Sequence, residues 1–231
     1  MSHDWPVVES RTEYETGWYD GGYDRVEQPD GTEKDYYWAA LPPAVVVVAV
    51  DDGDVVFVDQ YRPTIREQCM ELVAGIVEER EDDQRESSDG ASSEGRSSSN
   101  RSSGRSPREV GGAVSPETES ADEGPDDAVR AHPSRESYVA AGRRELREET
   151  GFEAGEVRFV EEFWTATGVL RHKRGIVFAA DLTETGRDLD DNEFLTVERV
   201  PVEEALAVAR EPPANDATIE GLLLAEADGH L

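Results

Sequence analysis

A long segment in the middle of this 231-residue chain restricts which residues can build a folded core. Residues 81–134 contain no Leu, Ile, Met, Phe, Tyr or Trp, and Ser supplies ten of the twenty residues from Ser87 to Ser106. Such a stretch cannot bury enough apolar surface to offset the conformational entropy that ordering would cost. We therefore predict a disordered insertion over 81–134, and a core built from 1–80 and 135–231.

Strand and helix patterns alternate along the two flanking pieces. Aromatic residues on both sides of the turn Pro29-Asp30-Gly31 predict a strand-rich segment over 1–43. Valine runs on both sides of Asp51–Asp54 predict a β-hairpin within 44–80. The second piece predicts a helix, three strands and two helices, near 136–150, 157–164, 174–182, 194–200, 202–210 and 215–228. This alternation indicates an α/β fold whose layered domain is formed by 44–80 and 135–231.

The charge of the chain is strongly negative, with 53 acidic against 23 basic residues and a net charge of −30. Only Lys34 and Lys173 are lysines. A charge of this sign repels nucleic acid and anionic membranes, so we expect neither as a partner. It also causes self-repulsion, which concentrated salt would screen. We therefore predict a protein of a halophile, the alternative being an ordinary acidic protein.

Other features bear on the compartment in which the chain works. Cys69 is the single cysteine, which rules out an intrachain disulfide. Residues Met1–Ser10 lack the apolar core of a signal peptide. The most apolar run, Ala44–Val50, is too short to span a bilayer and is typical of a buried strand. We expect a cytoplasmic protein.

The first helix after the insertion carries three carboxylates on one face. Glu145, Glu148 and Glu149 have the spacing i, i+3, i+4, which places them side by side on a helix. They repel one another, and they lie near the helix C-terminus, where the macrodipole disfavours negative charge. A bound cation would relieve both effects, and oxygen-only ligands suit Mg²⁺ or Mn²⁺. The alternative is a solvated acidic face.

The residues around these carboxylates form a pattern that a solvated face does not explain. Val139, Gly142 and Leu146 make a neighbouring stripe that is suited to packing against a sheet. Arg144 precedes the first carboxylate, and Gly151 follows the last turn, where a left-handed cap is expected.

Residues Arg144–Phe152 resemble the second half of the Nudix box, G-x5-E-x7-R-E-U-x-E-E-x-G-U, where U is apolar. Glu136 resembles the earlier Glu of the box. Arg130 stands where the opening Gly is expected, and Gly75 resembles that Gly instead. The insertion would then lie inside the box loop, where added length costs little closure entropy.

Flanking segments are similar to one branch of this family, the ADP-ribose pyrophosphatases. The similar segments are Val55–Arg62, Glu71–Gly75 and Asn215–Leu224. The resemblance implies an α/β/α sandwich with a mixed sheet and an N-terminal strand-rich extension. It also implies metal-dependent hydrolysis of a nucleoside diphosphate linked to another moiety, with ADP-ribose giving AMP and ribose 5-phosphate. Another nucleotide substrate (a sugar nucleotide, a dinucleoside polyphosphate or a nucleoside triphosphate) and a non-catalytic nucleotide sensor are the alternatives.

The resemblance also implies roles for individual residues. Glu145, Glu148 and Glu149 would bind Mg²⁺ or Mn²⁺, with the Ala74 carbonyl as a further ligand. Arg144 would orient the carboxylates through charge-assisted hydrogen bonds, and Glu136 would be structural. Arg62 would contact a phosphate or the ribose, the alternative being a plain surface arginine. The resemblance further suggests a homodimer formed through the N-terminal strands.

The loop after the box departs from the family branch. Ala166-Thr167-Gly168 stands where Ser-Pro-Gly is typical, and the carboxylate that often follows as the base is absent. His172 stands at the aligned position, so His172, a box Glu or Glu193 is the candidate base.

Around His172, the basic residues Arg171, Lys173 and Arg174 form a cluster. They would attract an anionic substrate, with Arg171 and Lys173 as binding residues, or they would balance nearby acids.

Overall fold

The structure, a computed structural model, describes residues 5–78, 133–186 and 194–231. All of these residues belong to one compact unit. The predicted disordered insertion lies outside the described residues except for its last two positions, and so does Glu193. Within the described part of the chain, no helix is long and apolar enough to cross a membrane.

A small sheet is formed by the N-terminal segment. Strands β1 (Val7–Glu15), β2 (Asp20–Glu27) and β3 (Glu33–Ala40) pair antiparallel in chain order, as the strand-rich prediction for 1–43 required. The turn between β2 and β3 contains Gly31 at φ 81°, a conformation that suits glycine. A two-residue strand, β8 (Leu170–Arg171), adds to β3 in parallel.

The main sheet among the described residues has the order β10-β5-β6-β4-β9-β7 and is mixed. Its strands are β4 (Ala44–Asp51), β5 (Asp54–Arg62), β6 (Glu67–Ile76), β7 (Phe152–Trp164), β9 (Lys173–Glu184) and β10 (Leu195–Pro201). Strands β4 and β9 are parallel, and the other ladders are antiparallel. The predicted hairpin is confirmed, because Val50 pairs with Val55 across the β4–β5 turn.

Helices cover both faces of this sheet. Helix α1 (Arg135–Thr150) packs on the face that carries Val45 and Val47. Helices α2 (Val202–Ala209) and α3 (Asp216–Ala227) pack on the opposite face. Strand β4 is therefore buried on both sides, which explains its unbroken apolar sequence. The architecture is the α/β/α sandwich that the sequence predicted.

The ends of α1 follow the local signals in the sequence. The Ser134 side chain caps the helix by accepting from the backbone N–H of Ser137. Gly151 ends it at φ 78°, and its N–H donates to the carbonyl of Arg147. Strand β7 begins at Phe152, earlier than the predicted 157, because the chain leaves the cap directly into a ladder with β9.

Candidate active site

The carboxylates of α1 differ in their exposure. Glu145 and Glu149 are buried, at 8% and 5% exposure, whereas the Glu148 side chain is half-exposed. The stripe predicted to pack on the sheet does so: Leu146 is fully buried, and Gly142 lies against Val177. The helix is therefore held with two charged groups on its buried side, an arrangement that requires compensating charge or hydrogen bonds.

Gly75 of β6 lies directly against the carboxylate of Glu145. A Cβ atom added to Gly75 would come within 1.9 Å of the Glu145 Cδ atom. Space, and not a positive φ, is thus what requires glycine here. Gly75 and Glu145 are thus in contact although 70 residues separate them in the sequence.

Arg144 compensates part of the negative charge. Its Nη2 donates to the carbonyl of Ile76 and to Glu145 Oε1, both at 2.7 Å. Its Nη1 lies 3.4 Å from Glu78 and 3.9 Å from Glu148. The guanidinium thus links β6 to the carboxylate face of α1, which is the orienting geometry expected from the sequence.

The residues at this face fit a hard divalent cation. The donors that α1 supplies are carboxylate oxygens, which such cations prefer, and glycine at position 75 gives the Glu145 carboxylate its place against β6. Among the described residues, no three acidic, His or Cys side chains converge into a ready-made metal cluster. A cation there would have to draw in Glu148, whose side chain is half-exposed and leans toward Arg144.

Arg62 lies at the end of β5 and is held by Glu71. Its Nε donates to Glu71 Oε2 at 2.7 Å, and its Nη2 lies 2.6 Å from the same oxygen. The Arg62 side chain remains 44% exposed, so a ligand could reach it. The motif Glu71–Gly75 by itself predicts no role for Glu71. The sequence does contain a signal for Glu71. It is a charged residue two positions before the buried Val73, so both side chains lie on the same face of β6, toward the core.

His172 lies between β8 and β9 and is half-buried. Burial lowers its pKa, with a further decrease from Arg174, whereas the carbonyls of Pro42 and Leu41 oppose the shift. Its Nδ1 atom is buried and has no hydrogen-bond partner among the described residues.

The charged groups near His172 are Arg174 and Asp216, and Asp216 belongs to α3. Neither of these two groups is a carboxylate of α1.

The basic residues that flank His172 are all paired with acids. Arg171 pairs with Asp24 and stacks over Trp38, with 4.0 Å from its Cζ to the ring centroid. Arg174 Nη1 lies 3.0 Å from Glu220 Oε2.

Lys173 is buried at 3% exposure, and its Nζ lies 2.9 Å from Glu162 Oε1. Burial lowers the pKa of Lys173. The geometry therefore favours the second interpretation of this cluster, in which its cations balance nearby acids.

Comparisons with known proteins agree with this architecture. A family model described as the NUDIX domain matches residues 111–222, a range that includes α1 and excludes Gly75. An ADP-ribose pyrophosphatase of Bacillus subtilis (strain 168) is 26% identical over 195 residues, which cover 83% of this chain and 76% of that protein. The ADP compounds hydrolase NudE of Escherichia coli (strain K12) is 33% identical over 82 residues, which cover 36% and 44%.

A solved structure shows the same fold. A crystal structure of an ADP compounds hydrolase aligns with a TM-score of 0.65 over 98% of this chain and 97% of that chain, at 17% identity.

Proposed function

We propose that this chain, a pyrophosphohydrolase that matches the NUDIX domain over residues 111–222, hydrolyses ADP-ribose to AMP and ribose 5-phosphate. The names of its relatives, an ADP-ribose pyrophosphatase and an ADP compounds hydrolase, support this substrate class. The observation that carries the proposal is the contact between Glu145 and Gly75. It brings together the two parts of the chain that resemble the beginning and the end of the Nudix box.

The proposed cofactor is Mg²⁺ or Mn²⁺, held by Glu145, Glu148, Glu149 and the Ala74 carbonyl. When bound, such a cation neutralises phosphate charge and lowers the pKa of a bound water. Arg144 keeps Glu145 in place through the 2.7 Å hydrogen bond, and its contact with Ile76 fixes α1 against β6.

The reaction is the attack of water on one phosphorus of the diphosphate. A new P–O bond forms, the bond from that phosphorus to the bridging oxygen breaks, and the bridging oxygen leaves with the other phosphate. A base accepts one proton of the attacking water. We propose Glu148 as this base, since it is half-exposed while Glu145 and Glu149 are buried.

We place His172 second for this role, because burial and the nearby Arg174 lower its pKa and so make it a weaker base. Glu193 lies outside the described residues and stays a candidate from the sequence alone.

The three basic residues predicted to bind substrate have different surroundings. We propose that Arg62 contacts a phosphate or the ribose, because its guanidinium is partly exposed at the end of β5. For Arg171 and Lys173 we propose a supporting role in place of substrate binding, since Asp24 and Glu162 already engage them.

A shallow cavity of about 330 Å³ lies beside α1 and is bordered by Glu148. Its lining includes Arg143, Arg144 and Arg147 together with the acids Glu148 and Glu153. Three arginines against two acids leave a small excess of positive charge there, which would favour a phosphate group.

A nucleotide panel distinguishes the substrates. Incubation with Mg²⁺ and ADP-ribose, a sugar nucleotide, a dinucleoside polyphosphate and a nucleoside triphosphate should give the highest kcat/KM for ADP-ribose. A higher kcat/KM for any other member would replace ADP-ribose as the substrate while leaving the hydrolase assignment in place.

The N-terminal sheet supports the proposal of a homodimer. Strand β1 is exposed along its whole length, and Tyr14, Trp18 and Tyr37 are exposed aromatic residues on β1, the following turn and β3. Exposed apolar surface of this kind is typical of protein contacts. Light scattering should give twice the mass of the chain.

A further inference from the structure

Glu71 is a buried carboxylate that accepts hydrogen bonds from three side chains. Its exposure is 8%, and its Oε2 accepts from Gln60 Nε2 at 3.1 Å and from Arg62 Nε at 2.7 Å. Its Oε1 accepts from Asn215 Nδ2 at 2.7 Å. One guanidinium and two amides thus satisfy a charge that would otherwise be costly to bury.

The environment of Glu71 leaves it little freedom to move. Asn215 is the N-cap of α3, where its Oδ1 accepts from the Thr218 N–H at 2.8 Å. Thr218 in turn accepts from the backbone N–H of Leu72 at 3.1 Å. The carboxylate is therefore fixed between β5, β6 and the start of α3.

This arrangement uses only one edge of the Arg62 guanidinium. Nε and Nη2 point at Glu71, and a guanidinium has a second bidentate edge formed by Nη1 and Nη2. The Arg62 side chain is 44% exposed, and Glu71 occupies the Nε edge of its guanidinium. A planar edge of this kind matches two oxygens of a phosphate group.

Arg62 and the α1 carboxylates lie on the same face of the sheet. Glu71 pairs with Val58, which belongs to the core under α1, and Gly75 on β6 lies against Glu145 of α1. Because side chains alternate along a strand, Glu71 and Gly75 share this face, about 13 Å apart at the rise of an extended strand. One extended nucleotide diphosphate can reach across such a distance.

We propose that Glu71 is a positioning residue. It holds the Nε edge of the Arg62 guanidinium, so that the Nη1–Nη2 edge of Arg62 binds phosphate oxygens of the ligand. This inference rests on the proposed function, which supplies the phosphate. A pre-positioned arginine loses less side-chain entropy on binding than a free one, so affinity depends on Glu71 through Arg62. Glu71 does not touch the reacting atoms.

The test is a double-mutant cycle on KM and kcat with ADP-ribose. Glu71→Gln and Arg62→Ala should each raise KM about tenfold, with kcat changed less than about threefold. The double variant should have the KM of Arg62→Ala alone, because Glu71 acts through Arg62. Asp59→Asn is the matched control: it removes one carboxylate from the opposite face of β5, and its KM should stay within about twofold.

Additive effects on KM would overturn the proposal, since a purely structural Glu71 would act independently of Arg62. Arg62→Lys covers the case in which Glu71→Gln does not fold. Lysine keeps the charge but lacks the second edge, so its KM should rise as in Arg62→Ala, and a KM equal to wild type would contradict the proposal.

A binding readout separates this inference from the hydrolase proposal. Calorimetry with inorganic pyrophosphate, without added metal, should show the same tenfold loss and the same non-additivity. If the variants lose pyrophosphate binding in this way but the wild type does not hydrolyse ADP-ribose, the substrate assignment is wrong, and the positioning role of Glu71 still holds. No pyrophosphate binding to wild type, or equal binding to wild type and Arg62→Ala, would overturn the role of Glu71.

Discussion

Gly75 and Glu145 are in such close contact that a Cβ added to Gly75 would lie 1.9 Å from the Glu145 Cδ atom, so any other residue at position 75 would displace the Glu145 carboxylate. We predict that Gly75→Ala lowers kcat about 100-fold, because a carboxylate displaced by about 1 Å loses its catalytic geometry. Overpacking should also reduce the free energy of unfolding by about 1–3 kcal/mol. Steady-state kinetics and urea unfolding measure the two effects.

The control for this variant is Gly21→Ala. A Cβ at Gly21 would meet its nearest neighbours at 3.8 and 3.9 Å, which are ordinary contacts. Wild-type kcat in Gly75→Ala would show that Glu145 need not occupy the position that the structure gives it.

The pKa of His172 leads to a prediction about acid stability. Burial lowers this pKa in the folded state below its usual value of 6.5, so the unfolded chain binds the proton first as the pH falls. Folded stability is therefore complete above about pH 6.5 and decreases as the pH falls below it, until the folded state is protonated too. His172→Gln cannot take up the proton, so its unfolding free energy should fall less steeply between about pH 6.5 and 5.

Activity of the same variant tests the assignment of the base. If Glu148 is the base, His172→Gln should keep kcat within about threefold of wild type. A decrease in kcat of about 100-fold or more with an unchanged KM would show that His172 takes part in the reaction as the base.

Removing one partner of the buried pair of Lys173 and Glu162 should lower the free energy of unfolding, because the other charge would be left without compensation. Glu162→Gln removes the carboxylate beside an ammonium that is 3% exposed, and we predict a loss of about 3 kcal/mol in unfolding free energy. Lys173→Met should cost less, because the Glu162 side chain is partly exposed and can be hydrated.

Arg158→Gln provides the comparison for the buried pair. It breaks an exposed pair with Glu156 and should cost less than about 1 kcal/mol. Equal losses in Glu162→Gln and Arg158→Gln would refute the structural role assigned to Lys173.

The net charge of −30 predicts that salt stabilises the fold. Raising KCl from about 0.1 to 2 M shortens the screening length to a few ångströms and should raise Tm by several degrees. Sucrose at equal osmolality does not screen charge and serves as the control. A Tm that rises equally in sucrose, or does not rise in KCl, would contradict a halophilic protein.

Much of the fold follows from local sequence signals. The caps at Ser134 and Gly151 bound α1, and the hairpin between β4 and β5 follows from Asp51–Asp54 between two valine runs. These signals are strong because each involves neighbouring residues. The parallel pairing of Leu170 with Ala39 depends on residues 131 positions apart, and no local pattern predicts it.

The same distinction applies to the site. The spacing of Glu145, Glu148 and Glu149 places them on one helix face without any knowledge of the rest of the fold. The partners of Arg171 and Lys173 could not be predicted, because Asp24 and Glu162 are brought to them by sheet pairing. Glu71 acquires its role from Asn215, which approaches only when α3 packs against β6.

The most direct test of the central claim compares AMP release from ADP-ribose by wild type, Glu149→Gln and Glu153→Gln. Glu149 is buried on the proposed metal face, whereas Glu153 lies just beyond α1, is exposed and is 3.8 Å from Arg147. With Mg²⁺ and concentrated KCl, wild type should release AMP and Glu153→Gln should match it, while Glu149→Gln should lose at least about 100-fold in kcat. Wild-type turnover by Glu149→Gln, or no AMP from wild type, would contradict the assignment of diphosphate hydrolysis to the α1 carboxylates.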